Sequence, residues 1–318
     1  MFGEPLANSH ILVTGGAGFL GAVITRRLLD AGASVTVVDH GTDPRHERAR
    51  AVLPEATHRV VDLLDVDLVD VLDGHDLVVH LAGQPGVQTS WGPGFDTHLR
   101  HNTLLSQRVL EAALVTEPRR VVMASSSSVY GEVGSGCATE TQAPRPLSPY
   151  GVSKAAMEAL VGAYVARGVN AISLRFFTVY GRGQRPDMAL HRLIDAASGG
   201  RPFGLRGNGS QVRDFTHVDD VAAAVRSALE RTVPAGSVIN VGGGQPVPLR
   251  ALIAEVEAQL GRPVPIDQLT PAGGDPGRTA ADLSLAERLL GWAPIVDLEA
   301  GVADQIAHQL AHAAAGKA

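Results

Sequence analysis

A single cysteine, Cys137, among 318 residues excludes an internal disulfide framework and fits a reducing compartment. Positive charge is not in excess either. Lys and Arg number 27 against 33 Asp and Glu, a formal net charge of −6, so the basic face that a nucleic-acid partner needs is missing. No apolar run approaches the ~20 residues of a membrane span, and "MFGEPLANSH" does not have the pattern of a secretory signal. The expected location is cytoplasmic, with no membrane partner. His80, His98, His101 and His217 are scattered without metal-ligand spacing, so no metal is expected. With 45% hydrophobic and 19% charged residues the chain is of the ordinary folded kind, long enough for one large domain or two small ones.

What is present is an alternation. "HILVTG", "SVTVVD", "HRVVD", "DLVVHLA", "RRVVMAS" and "AISLRFF" read as strands. Between them, "FLGAVITRRLLDAG", "NTLLSQRVLEAALV" and "SPYGVSKAAMEALVGAYVARG" read as helices. Strand and helix repeated in this way predict an α/β fold, a doubly wound parallel sheet covered on both faces. After Phe177 the texture changes. "GRGQRPD" and "GLRGNGSQ" read as loops, "DDVAAAVRSALER", "LRALIAEVEAQLG" and "SLAERLLGW" as helices, and "GSVINVGG" as a strand. The expected division is a dinucleotide-binding domain of residues 1–176 with 214–242 returning to it. A smaller mixed α/β substrate-binding domain comes mainly from 177–213 and 243–318.

Two local patterns carry chemistry. "VTGGAGFLG" sets Gly15, Gly18 and Gly21 three residues apart between a strand and a helix, where backbone amides approach a pyrophosphate. Asp39 ends the next strand about 20 residues on, placed for both hydroxyls of an adenosine ribose. That carboxylate repels a 2′-phosphate, which favours NAD over NADP. "VDL", Val61 to Leu63, ends the third strand and places Asp62 beside the expected adenine. "SPYGVSK" puts Tyr150 and Lys154 on one face at the start of a helix. A free phenol titrates near 10, and an ammonium one turn away lowers that value.

"MASSSSVYG" raises a separate question, because four serines end what reads as a buried strand. Together with "HLAGQPGV", "PYGVSK", "LRFFTVYG", "VRDFTHVDDVA" and "GDPGRTAADLSLAERLLGW", it makes the chain resemble, nearly end to end, the extended short-chain dehydrogenase/reductases. The branch is that of the nucleotide-sugar epimerases and dehydratases, Rossmann-type enzymes, and the resemblance is greatest to UDP-glucuronate 4-epimerases. It implies that Tyr150 deprotonates the sugar O4, Lys154 supports the phenolate and Ser126 bridges the proton, while hydride passes from C4 to NAD to leave a 4-keto sugar. It adds Phe19, Leu20, Leu63, Leu81, Ala82 and Gln84 to the NAD site. Ser127 and Ser128 stand where dehydratases of the family carry Asp-Glu, and decarboxylating relatives usually have glutamate at the second. A hydroxyl holds no proton-accepting charge at neutral pH, so elimination lacks its catalysts.

The same resemblance puts Thr178 and Arg185 at the C6 carboxylate of a uronic acid. A guanidinium matches a carboxylate in two-point contact. Arg213 falls at the diphosphate, Asp275 near the nucleotide ribose, and Phe203 and Leu205 by the base. Gln88 stands where relatives often have arginine, Arg206 replaces a frequent aromatic, and Ala272 sits where neutral-sugar epimerases tend to carry arginine. The expected activity is NAD-dependent C4 epimerisation of a UDP-hexuronic acid without decarboxylation. The rivals are a neutral UDP-sugar 4-epimerase, a UDP-glucuronate decarboxylase and a non-catalytic NAD-binding module. A homodimer through the helices starting near Thr103 and Tyr150 is expected, with Ala155, Ala156, Met157, Leu160 and Val161 offered for the contact.

Overall fold

The structure is a computed structural model that describes residues 6–40, 45–270 and 274–315; Ala272 lies outside the described residues. The first half alternates in chain order. It runs β1 (His10–Thr14), α1 (Phe19–Asp30), β2 (Ser34–Asp39), α2 (Arg45–Val52), β3 (Thr57–Val60), α3 (Leu68–Leu72) and β4 (Leu77–His80). Then follow α4 (Gly94–His98), a π-helical stretch from Leu99 to Leu104, α5 (Leu105–Thr116), β5 (Arg120–Ser126), α6 (Pro149–Val165) and β6 (Ala171–Phe176). The second half contains β7 (Thr178–Tyr180), α7 (Ala189–Ala197), β8 (Phe203–Arg206), β9 (Val212–His217), α8 (Val218–Glu230) and β10 (Val238–Val241). It closes with β11 (Pro246–Pro248), α9 (Leu249–Leu260), β12 (Ile266–Leu269), α10 (Ser284–Leu290) and α11 (Leu298–Ala315).

Seven strands form one parallel sheet in the order β10-β6-β5-β4-β1-β2-β3. The central strands β4 and β6 are buried at every position, as expected of strands covered on both faces. Ile24 and Leu28 of α1 pack with Val221 and Val225 of α8 on one side. Val109 and Leu110 of α5 pack with Met157 and Val161 of α6 on the other. Strand order runs outward from β1 to β3 and then returns to β4 beside β1. The chain thus reverses between β1 and β4, opening a crevice at their carboxyl ends, the place where such sheets bind ligands.

The rest of the chain builds two small sheets, β11-β9-β7 and β12-β8, with α7, α9 and α11 around Leu190, Leu193, Leu252, Val256 and Val302. Here the sequence reading needs correction. "GLRGNGSQ" is not all loop, since β8 runs through Arg206 before Gly207 and Gly209, with φ of +69° and +74°, turn the chain. "VRDFTH" is strand β9, and β3 stops at Val60, short of Asp62. Met157 and Val161 face the sheet of their own chain, 1% and 2% exposed, and so are not available to a partner. No helix of the described residues is long and apolar enough to cross a membrane.

One buried ion pair ties α6 to the sheet. Glu158 accepts from Arg175 Nε at 2.9 Å and Nη2 at 2.7 Å, and from the Ser125 hydroxyl. Both charged side chains are under 10% exposed. Glu158→Ala should lower unfolding free energy by about 3–5 kcal/mol, because it strands a buried guanidinium. Denaturant unfolding checks this, and a loss under about 1 kcal/mol would mean that the pair does not hold the helix.

Candidate active site

The glycine loop closes the first βα unit against the strand beyond it. A Cβ on Gly15, whose φ is +70°, would lie 2.7 Å from the Ala82 amide nitrogen, and one on Gly21 would lie 2.3 Å from the Gly15 carbonyl oxygen. Only glycine lets α1 start this close to the sheet. Gly18 caps α1 with extended backbone, no side chain accepts from the first-turn amides, and that turn has no acidic residue. A helix N-terminus left in this state suits an anion. Asp39 sits beside the loop, its Oδ2 accepting from Ala17 N at 3.1 Å. These features fit the pyrophosphate and ribose of a dinucleotide. Phe19 and Leu20 begin α1, half-buried, and Leu63 is buried beside the exposed Asp62, which accepts from Leu64 N at 2.9 Å. Leu81 and Ala82 follow β4 and are held to Thr14 through its carbonyl and hydroxyl.

Across the crevice, the serine run makes the turn that receives α6. Ser126 ends β5 and its hydroxyl accepts from Ser128 N at 3.1 Å, opening a short 3₁₀ turn of Ser127–Val129. Helix α6 begins with the Ser148 hydroxyl accepting from Gly151 N and with Pro149 in its first turn. A Cβ on Gly151 would lie 2.5 Å from Ser128 O, so the glycine of "PYGVSK" lets the helix start press on the serine turn. Tyr150 and Lys154 both lie there. The Ser126 side chain acts on the Tyr150 phenol, and the His98 ring meets that phenol edge-on at 5.8 Å. Lys154 is buried and donates to Ala124 O at 2.8 Å, one strand position before the serines.

Charge acts on this pair in opposite senses. Burial raises the Tyr150 pKa, opposed by the Ser126 hydrogen bond and the positive charge of Arg185. Burial pulls Lys154 down to about 8, with Glu158 working against the fall. Arg185 is thus one cation that acts on the phenol, and the Lys154 ammonium is bonded to the strand end. His80 is likewise kept neutral, pulled down to about 3 by burial and by the Lys154 charge, and braces Thr14 and Ser106 through its ring nitrogens.

The remaining sequence-chosen residues divide. Arg185 is 24% exposed and bonds Asp187 through Nε at 2.9 Å and Nη2 at 2.8 Å. Thr178 opens β7, half-buried and paired in register with Phe215. Arg213 and Asp275, chosen for opposite parts of the nucleotide, pair with each other at 2.8 Å. Phe203 is 4% exposed, buried in the core of the second half with Arg192 over its ring at 5.2 Å. Leu205 is half-buried against the same core. Gln84 is held through its backbone by Asn102, while its side-chain amide donates to Pro85 O at 3.3 Å. Asn102 accepts from Gln84 N and donates to Gln84 O, both at 2.9 Å, and also reaches Ser153 Oγ at 3.0 Å. Asn102 was missed by the sequence reading. It lies in the π-helical stretch, among polar neighbours Arg100, His101 and Thr103 that give it no signal of its own. Among the described residues no cluster of three or more His, Cys, Asp or Glu is arranged to hold a metal.

A glycine cradle and a Tyr-x-x-x-Lys helix, facing each other across one crevice, define an NAD-binding short-chain fold. Residues 11–242 match the model of the NAD dependent epimerase/dehydratase family, and the chain belongs to that family. The Bacillus subtilis protein YtcB, described as an uncharacterized UDP-glucose epimerase, is 37% identical over 94% of this chain and 97% of its own. A probable UDP-glucuronate 4-epimerase of Rhizobium meliloti is 35% identical over 92% and 94%. The crystal structure of a Bacillus cereus UDP-glucuronic acid 4-epimerase with UDP-glucuronic acid and NAD superposes with a TM-score of 0.90. It is 36% identical, over 95% of this chain and 99% of that one.

Lys154 also makes a stability prediction. Its pKa falls from 10.5 unfolded to about 8 folded, so the unfolded chain binds more protons between those values and stability rises with pH across that window. Below it, burying the charge costs on the order of 3 kcal/mol. Lys154→Met should therefore raise the melting temperature of NAD-free protein at pH 7 and flatten the rise between about pH 8 and 10.5. A variant less stable than its parent at pH 7 would contradict this.

Proposed function

We propose that the chain is an NAD-dependent 4-epimerase of a UDP-hexuronic acid, interconverting UDP-glucuronate and UDP-galacturonate through a 4-keto sugar without decarboxylation. The observation that carries this is the serine turn, which sets hydroxyls beside Tyr150 and no carboxylate. Glu158, the acid bonded to Ser125 at that strand end, is engaged by Arg175 and Ser125 and is assigned no part in proton transfer to the sugar.

When bound, NAD supplies the acceptor and donor for hydride at C4. The residues of the chain supply the rest. Tyr150 takes the O4 proton and returns it, with Ser126 as the bridge. Lys154 provides positive charge at the strand end. Gly15, Gly18, Gly21, Asp39 and the ends of β3 and β4 hold the dinucleotide. Thr178, Ser127, Ser128 and Arg185 surround the sugar carboxylate, and Arg213 with Asp275 faces the nucleotide. A 4-keto uronate is a β-keto acid, which loses carbon dioxide when its C5–carboxyl bond aligns with the carbonyl π system. A charged, hydrogen-bonded carboxylate turned out of that alignment resists the loss, and each tenfold of partition needs ~1.4 kcal/mol.

One observation favours a second reading. Asp187 already engages Arg185, and a neutral hexose would leave that pair undisturbed. We place the protein in the cytoplasm as a homodimer, with Leu99, Leu104 and Val152 exposed at 43%, 45% and 47% as the contact. We take residues 1–176 with 214–242 as the NAD domain, and the remainder as the substrate domain.

NMR of the products from UDP-glucuronate and UDP-glucose, offered separately, decides the substrate. UDP-galacturonate without UDP-pentose is expected from the first, and steady turnover of UDP-glucose alone would replace this reading with the neutral one. Tyr150→Phe should lower turnover by at least about 10³-fold while NAD binding stays intact. Unchanged turnover would remove the assigned base.

A further inference from the structure

The geometry points to Asp187 as a specificity-determining residue: its carboxylate is a built-in occupant of the Arg185 fork, which an acidic sugar displaces and a neutral sugar leaves in place. This rests on the reading of Arg185 as the group that binds the sugar carboxylate.

The occupant is held by the chain itself. Met188 N donates to Arg185 O at 3.1 Å, closing a turn over Arg185, Pro186, Asp187 and Met188. Proline at the second position fixes φ where such a turn needs it. Asp187 is thus returned to the side chain two residues before it, and takes the Nε–Nη2 edge in two-point contact. That edge is one of the two, Nε–Nη2 and Nη1–Nη2, that a bidentate carboxylate ligand can use. Two carboxylates on one guanidinium repel, so a uronate that binds Arg185 meets Asp187 as a competitor.

Asp187 is 65% exposed and Arg185 24%, so water screens their attraction and the pair is weak. It is also intramolecular, which keeps the fork filled whenever no ligand is present. Asp187 therefore occupies the Arg185 fork and adds a barrier that only a ligand with its own negative charge meets.

Calorimetric binding to NAD-loaded protein tests this, with Tyr150→Phe in every variant to stop turnover. Asp187→Asn should tighten UDP-glucuronate about two- to fivefold and leave UDP-glucose unchanged. Arg185→Ala should weaken UDP-glucuronate at least about tenfold, and adding Asp187→Asn to it should change nothing further. If Arg185→Ala weakens the uronate but Asp187→Asn leaves it unchanged or weaker, Asp187 is not a competitor. Unchanged uronate binding in Arg185→Ala removes the carboxylate reading itself, and with it the role of Asp187. An equal gain from Asp187→Asn with and without Arg185 would mean bulk charge, not the fork. Asp187 lies on the surface, so the variant keeps its fold, and retained NAD confirms it.

Discussion

The contact of the first turn of α6 with the end of β5 is the constraint from which the rest follows. Gly151 has no side chain because Ser128 O occupies the space where one would stand. That closeness brings the Tyr150 phenol under the influence of Ser126 and puts Lys154 on Ala124 O. It also buries a lysine, which destabilises the fold, and the Arg175–Glu158 fork below it holds the helix against that loss. The expensive features lie together, as expected where a fold gives up stability for a site.

The parallel sheet supplies the other half. Because the strand order reverses between β1 and β4, the glycine loop after β1 and the serine turn after β5 face one crevice from opposite sides. A dinucleotide on the first and a sugar on the second would meet between them. The proposed chemistry depends on what the serine turn withholds from the crevice. Serines at 126, 127 and 128 offer hydrogen bonds without a proton-accepting charge, so a 4-keto sugar there has a route back to alcohol and none to elimination.

Much of this was legible beforehand because it rests on spacing. Gly15, Gly18 and Gly21 before a helix, Asp39 at the end of the next strand, and Tyr150 with Lys154 one turn apart are local patterns fixed by backbone geometry. The strands of the large sheet were legible for the same reason, as continuous apolar runs. Long-range pairing was not. Asn102 satisfies Gln84 from 18 residues away, Arg213 meets Asp275 across 62, and Phe203 goes to the core because β12 pairs with β8. Neither periodicity nor spacing reports such contacts. The Arg185–Asp187 fork is short in sequence but was hidden too, since a charge pair in a loop reads as solvated until its exposure is known.

Hydride that leaves C4 and returns from the other side is the central claim, and an isotope at that carbon tests it most directly. UDP-glucuronate carrying deuterium at C4 should be converted in ordinary water to UDP-galacturonate with the deuterium still on C4. Product that has exchanged its deuterium for solvent hydrogen would contradict hydride return and require inversion by proton transfer instead.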